Sequence, residues 1–159
     1  MNYLKLLLLV GFAIIVYREP WSQIKITNKI DLHAKDWTQL FMNDQLLVEY
    51  KMESCYPSMG YDQDKILLRL TNESNTEINV NWHTLLEYDG ECKTCAYPQE
   101  YSYSVSILPN STLSGDCSFE ANVALRYFSR FIDKNYTGKP TNLTGFELFG
   151  LTITNSTNK

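Results

Sequence analysis

Histidine, glycine, proline and long apolar runs are all scarce in this chain of 159 residues. The two histidines, His33 and His83, sit in no H-E-x-x-H pattern, which removes the commonest helical zinc-protease signature. Seven glycines and five prolines exclude collagen-like and linker-like chains. No series of segments reaches the roughly 20 apolar residues of a bilayer-spanning helix, so a multi-span membrane protein is excluded. Basic charge is also short. Lys and Arg total 14 against 18 Asp and Glu, a net charge of -4, so nothing collects phosphates and nucleic acid is excluded as a partner. No Gly-x-Ser-x-Gly elbow occurs. What is present is the mix of a folded globular chain, with 44% hydrophobic and 20% charged residues. The length suits one domain with short extras.

Leu6 to Tyr17 carries no charge and follows Lys5, the pattern of a secretory h-region. Pro20 ends any helix that continues from it. Residues 1–23 are therefore read as a signal peptide, with cleavage near Ser22 or Gln23, or as an uncleaved N-terminal anchor that would be the chain's one membrane contact. Removing them takes away Lys5, Arg18 and Glu19 and leaves 12 basic against 17 acidic residues. The expected location is secreted or periplasmic.

Four cysteines, Cys55, Cys92, Cys95 and Cys117, form an even set that in an exported chain points to disulfides. Three pairings are open. Cys92–Cys95 with Cys55–Cys117 is the preferred one, and crossed pairs are the alternative. A second reading places zinc on the same four cysteines, since two-residue spacing lets both sulfurs of Cys92 and Cys95 reach one ion. A redox dithiol is disfavoured, because Tyr97-Pro98 follows the motif where a thioredoxin-type pair would open a helix.

From Gln45 onward the hydrophobic pattern has period two. Leu46, Val48, Tyr50 and Met52 alternate with Glu49, Lys51 and Glu53. Ile66, Leu68 and Leu70 form a second such face. Ile78, Val80, Trp82, Thr84, Leu86 and Tyr88 form a third against Asn79, Asn81 and His83. Asn72 to Thr76, Asp89-Gly90 and Pro109 to Asp116 read as turns. Tyr101, Tyr103, Val105 and Ile107 alternate with serines, and residues 123–132 read as strand rather than short helix. The last strand spans residues 143–153 with a bulge at Gly150. The expected fold is all-β, an immunoglobulin-like antiparallel sandwich of six or seven strands over residues 45–153. Residues 24–44 form a lead-in that begins strand-like at Ile24, Ile26 and Ile30, with one helical turn through Trp37, Leu40 and Phe41 capped by Asp36. Residues 154–159 form a disordered tail. The expected core is Leu46, Val48, Tyr50, Ile66, Leu68, Leu70, Val80, Trp82, Leu86, Val105, Ile107, Phe146 and Leu148.

The runs Lys65-Ile-Leu-Leu-Arg-Leu-Thr-Asn-Glu-Ser-Asn, Glu87-Tyr-Asp-Gly-Glu-Cys-Lys-Thr-Cys, Leu108-Pro-Asn-Ser-Thr-Leu-Ser-Gly-Asp-Cys and Leu143-Thr-Gly-Phe-Glu-Leu-Phe resemble small secreted proteins of the Bacteroidota. The resemblance covers roughly residues 45–153. It implies a sandwich and export, and it transfers no activity.

Asp62-Gln63-Asp64 offers too few oxygens for calcium and reads as a solvated loop capping a strand. His83 reads as a surface residue. Tyr97, Tyr101 and Tyr103 cluster near the cysteine loop and form the candidate binding patch, because tyrosine presents large area at low entropy cost. Five N-x-S/T sequons, at Asn72, Asn110, Asn135, Asn142 and Asn155, fall in expected turns, strand ends or tail. The functional expectation is an exported non-enzymatic module of the cell envelope with no cofactor, binding a protein or glycan partner.

Overall fold

The computed structural model describes residues 24–26, 30–58 and 60–156. The expected signal or anchor segment 1–23 and residues 157–159 of the tail lie outside them. Ten strands occur among the described residues: β1 (Ile24–Ile26), β2 (Thr38–Met42), β3 (Leu46–Cys55), β4 (Gln63–Asn72), β5 (Ile78–Tyr88), β6 (Glu91–Cys92), β7 (Ser102–Ile107), β8 (Thr112–Ser114), β9 (Arg126–Phe131) and β10 (Leu143–Asn155). All pairings are antiparallel. The first sheet runs β1-β10-β5, with β6 and β7 following each other along the far edge of β5. The second runs β2-β3-β4, with β8 and β9 sharing the far edge of β4 in the same way.

The two sheets form a β-sandwich because period-two patterning leaves each with one apolar face. In β5, Ile78, Val80, Trp82, Thr84 and Leu86 are buried and their neighbours are not. Every residue of the expected core is buried. Trp82 and Tyr103 of the first sheet meet Tyr127 of the second inside the sandwich. Asp89 and Gly90 both take positive φ, at 50° and 83°, which gives the tight turn between β5 and β6 the twist of its strands. Gly150, at φ 63°, lies in the register shift between Phe149 and Thr152, as the expected bulge requires. The extra residue keeps both Leu148 and Leu151 facing inward.

The lead-in begins with a strand, β1, as expected, but its second half differs from expectation. No helical turn forms at Trp37. Residues 38–42 instead pair with β3, and β1 pairs with β10, so the segment supplies an edge strand to each sheet. The free edge of β3 offers a ladder of hydrogen bonds, whereas an isolated helical turn is a costly nucleus. Leu40 then enters the core. Three other boundaries shift. The region 109–116, expected as turn, contains β8. Val123–Leu125 is a 3-10 turn whose cap, Asn122, accepts from the Ala124 amide at 3.0 Å, and the strand begins at Arg126. Strand β10 runs through Thr154 and Asn155, which pair with Asn79 and Ile78, so the ordered chain continues past the expected tail boundary.

Candidate functional site

The cysteines close two disulfides, Cys55–Cys117 and Cys92–Cys95, which selects the preferred pairing. Each sulfur is already bonded to another, and no cluster of three or more His, Cys, Asp or Glu able to hold a metal occurs among the described residues. The zinc reading of the four cysteines gains no support. The local pair caps the β5–β6 hairpin. Between its cysteines, Thr94 is buried, accepting from the Leu86 amide at 2.9 Å and donating to the Thr84 carbonyl at 3.0 Å. Its hydroxyl replaces a missing ladder partner. No helix follows the motif, so nothing there would stabilise a thiolate in the thioredoxin manner.

The candidate tyrosine patch divides. Tyr97 is exposed on the cysteine loop. Tyr103 turns inward against Trp82 and Tyr127, at centroid distances of 5.8 and 6.0 Å. Tyr101 lies half-buried beside it, and burial, then the neighbouring Tyr101 phenol, raise the Tyr103 pKa. These rings do not present one outward surface.

His83 and Ser102 do meet, with Oγ 2.6 Å from Nδ1. Ser102 Oγ also lies 2.6 Å from the Pro98 carbonyl oxygen, an obligate acceptor. With Nδ1 protonated, the imidazole donates to Oγ and Oγ donates to Pro98. All three atoms are satisfied and the serine is not activated. This network ties the cysteine loop to β5. Asp64, expected in a solvated loop, is instead buried in β4, where it accepts from Ser54 Oγ at 2.7 Å and Arg130 Nε at 2.8 Å.

The strongest site lies elsewhere. Cys55 ends β3, and its disulfide holds the loop that follows β8 against the start of β4. Gly115 makes this passage possible, because a Cβ there would stand 2.1 Å from the Leu125 carbonyl oxygen. Arg126, at the start of β9, donates to the Ser118 carbonyl and, at 3.4 Å, to that of Phe119. Below the loop opens a cleft of about 540 Å³ whose lining includes Tyr56, Lys65, Phe119 and Arg126. Phe119 is 95% exposed and Tyr56 70%.

The charges around this cleft are unevenly matched. On the outward face of the second sheet, Arg69 grips Glu49 through two bonds of 2.7 Å, which raise its pKa. Lys51 pairs with Glu53 at 2.5 Å. Both cations also stack on Trp37, at 5.2 Å for Lys51 and 4.5 Å for Arg69. Lys65 stands opposite Glu53 in the ladder, but Glu53 is taken by Lys51. Among the described residues Lys65 and Arg126 make no ion pair. Partial burial first, then repulsion from Arg126, lowers the Lys65 pKa. Next to the cleft, Phe128 and Phe131, the ladder partners of Lys65 and Gln63, continue an aromatic surface into Tyr136 and Tyr61.

The fold and this site define a disulfide-bonded, two-sheet β-sandwich with an aromatic and cationic cleft at one end. Comparison with protein-family models, curated proteins and solved structures finds no match.

Proposed function

We propose that this chain is an exported, non-enzymatic binding module of the cell envelope and that its ligand surface is the cleft beside Cys55–Cys117. Export is supported by two closed disulfides, which persist in oxidising compartments. No helix among the described residues is long and apolar enough to cross a membrane. The immunoglobulin-like reading of the sandwich belongs to the same proposal and is supported by two antiparallel sheets packed on their apolar faces. One observation carries the binding reading: Phe119 and Tyr56 stand exposed over a concavity containing two cations without ion-pair partners. Exposed aromatics next to unpaired charge are what recognition surfaces present before their partner arrives. The test is in-cell photocrosslinking in the full chain, with a photoreactive residue at position 119 or at Leu108, which is exposed at the opposite end of β4. A discrete adduct with an envelope component from position 119, absent from 108, is expected. No adduct, or the same adduct from both positions, would overturn the reading.

A further inference from the structure

We infer that the ligand of the Cys55–Cys117 cleft is an acidic saccharide, its carboxylate or sulfate held between Lys65 and Arg126 and its ring packed against Tyr56 and Phe119. The inference rests on the binding reading above and names the ligand chemistry.

Charge gives the first argument. The outward face of the second sheet pairs Lys51 and Arg69 with carboxylates but leaves Lys65 and Arg126 without them. Asp116, next to Cys117, is exposed and forms no ion pair with Arg126. An anion between the two cations relieves their mutual repulsion and gains charge-assisted hydrogen bonds. Shape gives the second. The cleft falls in the range of about 300–1,000 Å³ typical of small-ligand sites, with aromatic rings exposed at its margin. An aromatic face packs well against the C–H face of a sugar ring while the hydroxyls stay in water. Topology gives the third. The strand behind the cleft, β4, is paired along both edges, so an extended peptide finds no open ladder there. Lys65 is half-buried rather than spread on a flat outer surface, which suits a recessed ligand better than a lipid headgroup plane.

Isothermal titration of the full chain distinguishes the possibilities. The probes are an oligogalacturonate, its methyl ester, a sulfated glucan oligosaccharide, a poly-glutamate peptide and phosphatidylglycerol vesicles. Binding of the oligogalacturonate or the sulfated oligosaccharide is expected, falling as salt rises. The methyl ester is expected to bind at least about tenfold more weakly than the acid. Lys65→Met and Phe119→Ser should each weaken binding by about tenfold or more, while Lys93→Met, in the cysteine loop of the other sheet, should not. The substituted side chains are partly or fully exposed, and unchanged thermal melting confirms the fold of each variant. Equal binding of acid and ester, tighter binding of peptide or vesicles, or no binding of either acidic saccharide would overturn the inference. A position-119 crosslink without saccharide binding sinks the ligand chemistry alone. Failure of that crosslink sinks the binding reading itself.

Discussion

The Trp82 indole nitrogen donates to the Tyr127 hydroxyl at 3.3 Å, a bond that joins the two sheets through the core. The same hydroxyl accepts from Thr84 Oγ1 at 3.1 Å and donates to the Ala124 carbonyl at 2.6 Å. One phenol oxygen, carried by β9, therefore satisfies two groups of β5 and one of the turn that precedes β9. It also fixes the loop that leads from Cys117 to Arg126, and so the cationic wall of the cleft.

Tyr127→Phe keeps the ring in its edge contacts with Tyr103 and Phe146 but leaves the Trp82, Thr84 and Ala124 groups without this partner. Each buried unsatisfied group costs about 1–3 kcal/mol, partly relaxed by local movement. The expected loss is about 3 kcal/mol, read from urea unfolding of the oxidised protein. Thr84→Val, which removes one donor and leaves the other two bonds, should lose about 1 kcal/mol. Equal losses for both variants would show that the phenol oxygen is not the hub.

The buried phenols also predict an alkaline limit. Burial first, then the neighbouring Tyr101, pushes the Tyr88 pKa up to about 12. Burial raises that of Tyr127 as well, against the hydrogen bonds from Thr84 and Trp82, which pull it down. In the unfolded chain both titrate near about 10. Above that pH the unfolded state binds fewer protons than the folded state, so stability falls with rising pH. The contribution is fully present below about pH 10 and is lost as pH rises through the folded values. Melting temperature should hold steady to about pH 9.5 and then drop. Tyr127→Phe, which cannot ionise there, should show a shallower drop. A parallel decline in variant and parent would remove Tyr127 as a cause.

The sandwich was legible because one face of β5 is apolar from Ile78 to Leu86, and water enforces that segregation whatever the neighbours are. Strand β2 was not. Asp36, Trp37, Leu40 and Phe41 suit a helical turn as well as an edge strand, and the choice is made by the open edge of β3. Leu67 alternates as an outward residue yet is only 2% exposed, on a face where Lys51, Arg69 and Trp37 pack together. The cleft was the least legible part. Lys65 and Arg126 lie far apart in the chain, and their proximity depends on β4–β9 pairing and on Gly115 passing close to Leu125. Phe119, inside a polar turn after Cys117, was the only local hint.

The sequon at Asn72 is not a surface acceptor. Its side chain is fully buried, and Nδ2 donates to the carbonyls of Thr76, Ile107 and Leu108 at 2.8 to 3.0 Å. Oδ1 accepts from the Ser74 amide and hydroxyl. Asn110, Asn135, Asn142 and Asn155 are exposed. Expressed through a eukaryotic secretory pathway, the chain should carry glycan at some of those four and none at Asn72, as glycopeptide mass spectrometry would show. Asn72→Asp replaces the amide donors with an acceptor facing three carbonyls, and a loss of about 3 kcal/mol or more is expected. Asn110→Asp should stay within about 0.5 kcal/mol.

The two disulfides should contribute unequally. Cys55–Cys117 spans a separation of 62 residues, whereas Cys92–Cys95 spans 3. In the loop-entropy model the first removes about 4 kcal/mol of freedom from the unfolded chain and the second about 2. Accessibility points the same way. Cys55 is buried at the end of β3, while Cys95 is exposed, so a small thiol should reach the short bridge first. Titration with reductant followed by alkylation and peptide mapping should find Cys92 and Cys95 labelled before Cys55 and Cys117. Replacing both Cys92 and Cys95 with Ala should cost about 2 kcal/mol or less and leave the long bridge intact. Replacing Cys55 and Cys117 should cost about 4 kcal/mol, free the loop carrying Phe119, and weaken any ligand that depends on the cleft. If the long bridge proved dispensable for both stability and binding, the loop it anchors would be positioned by Arg126 and the Gly115 contact alone.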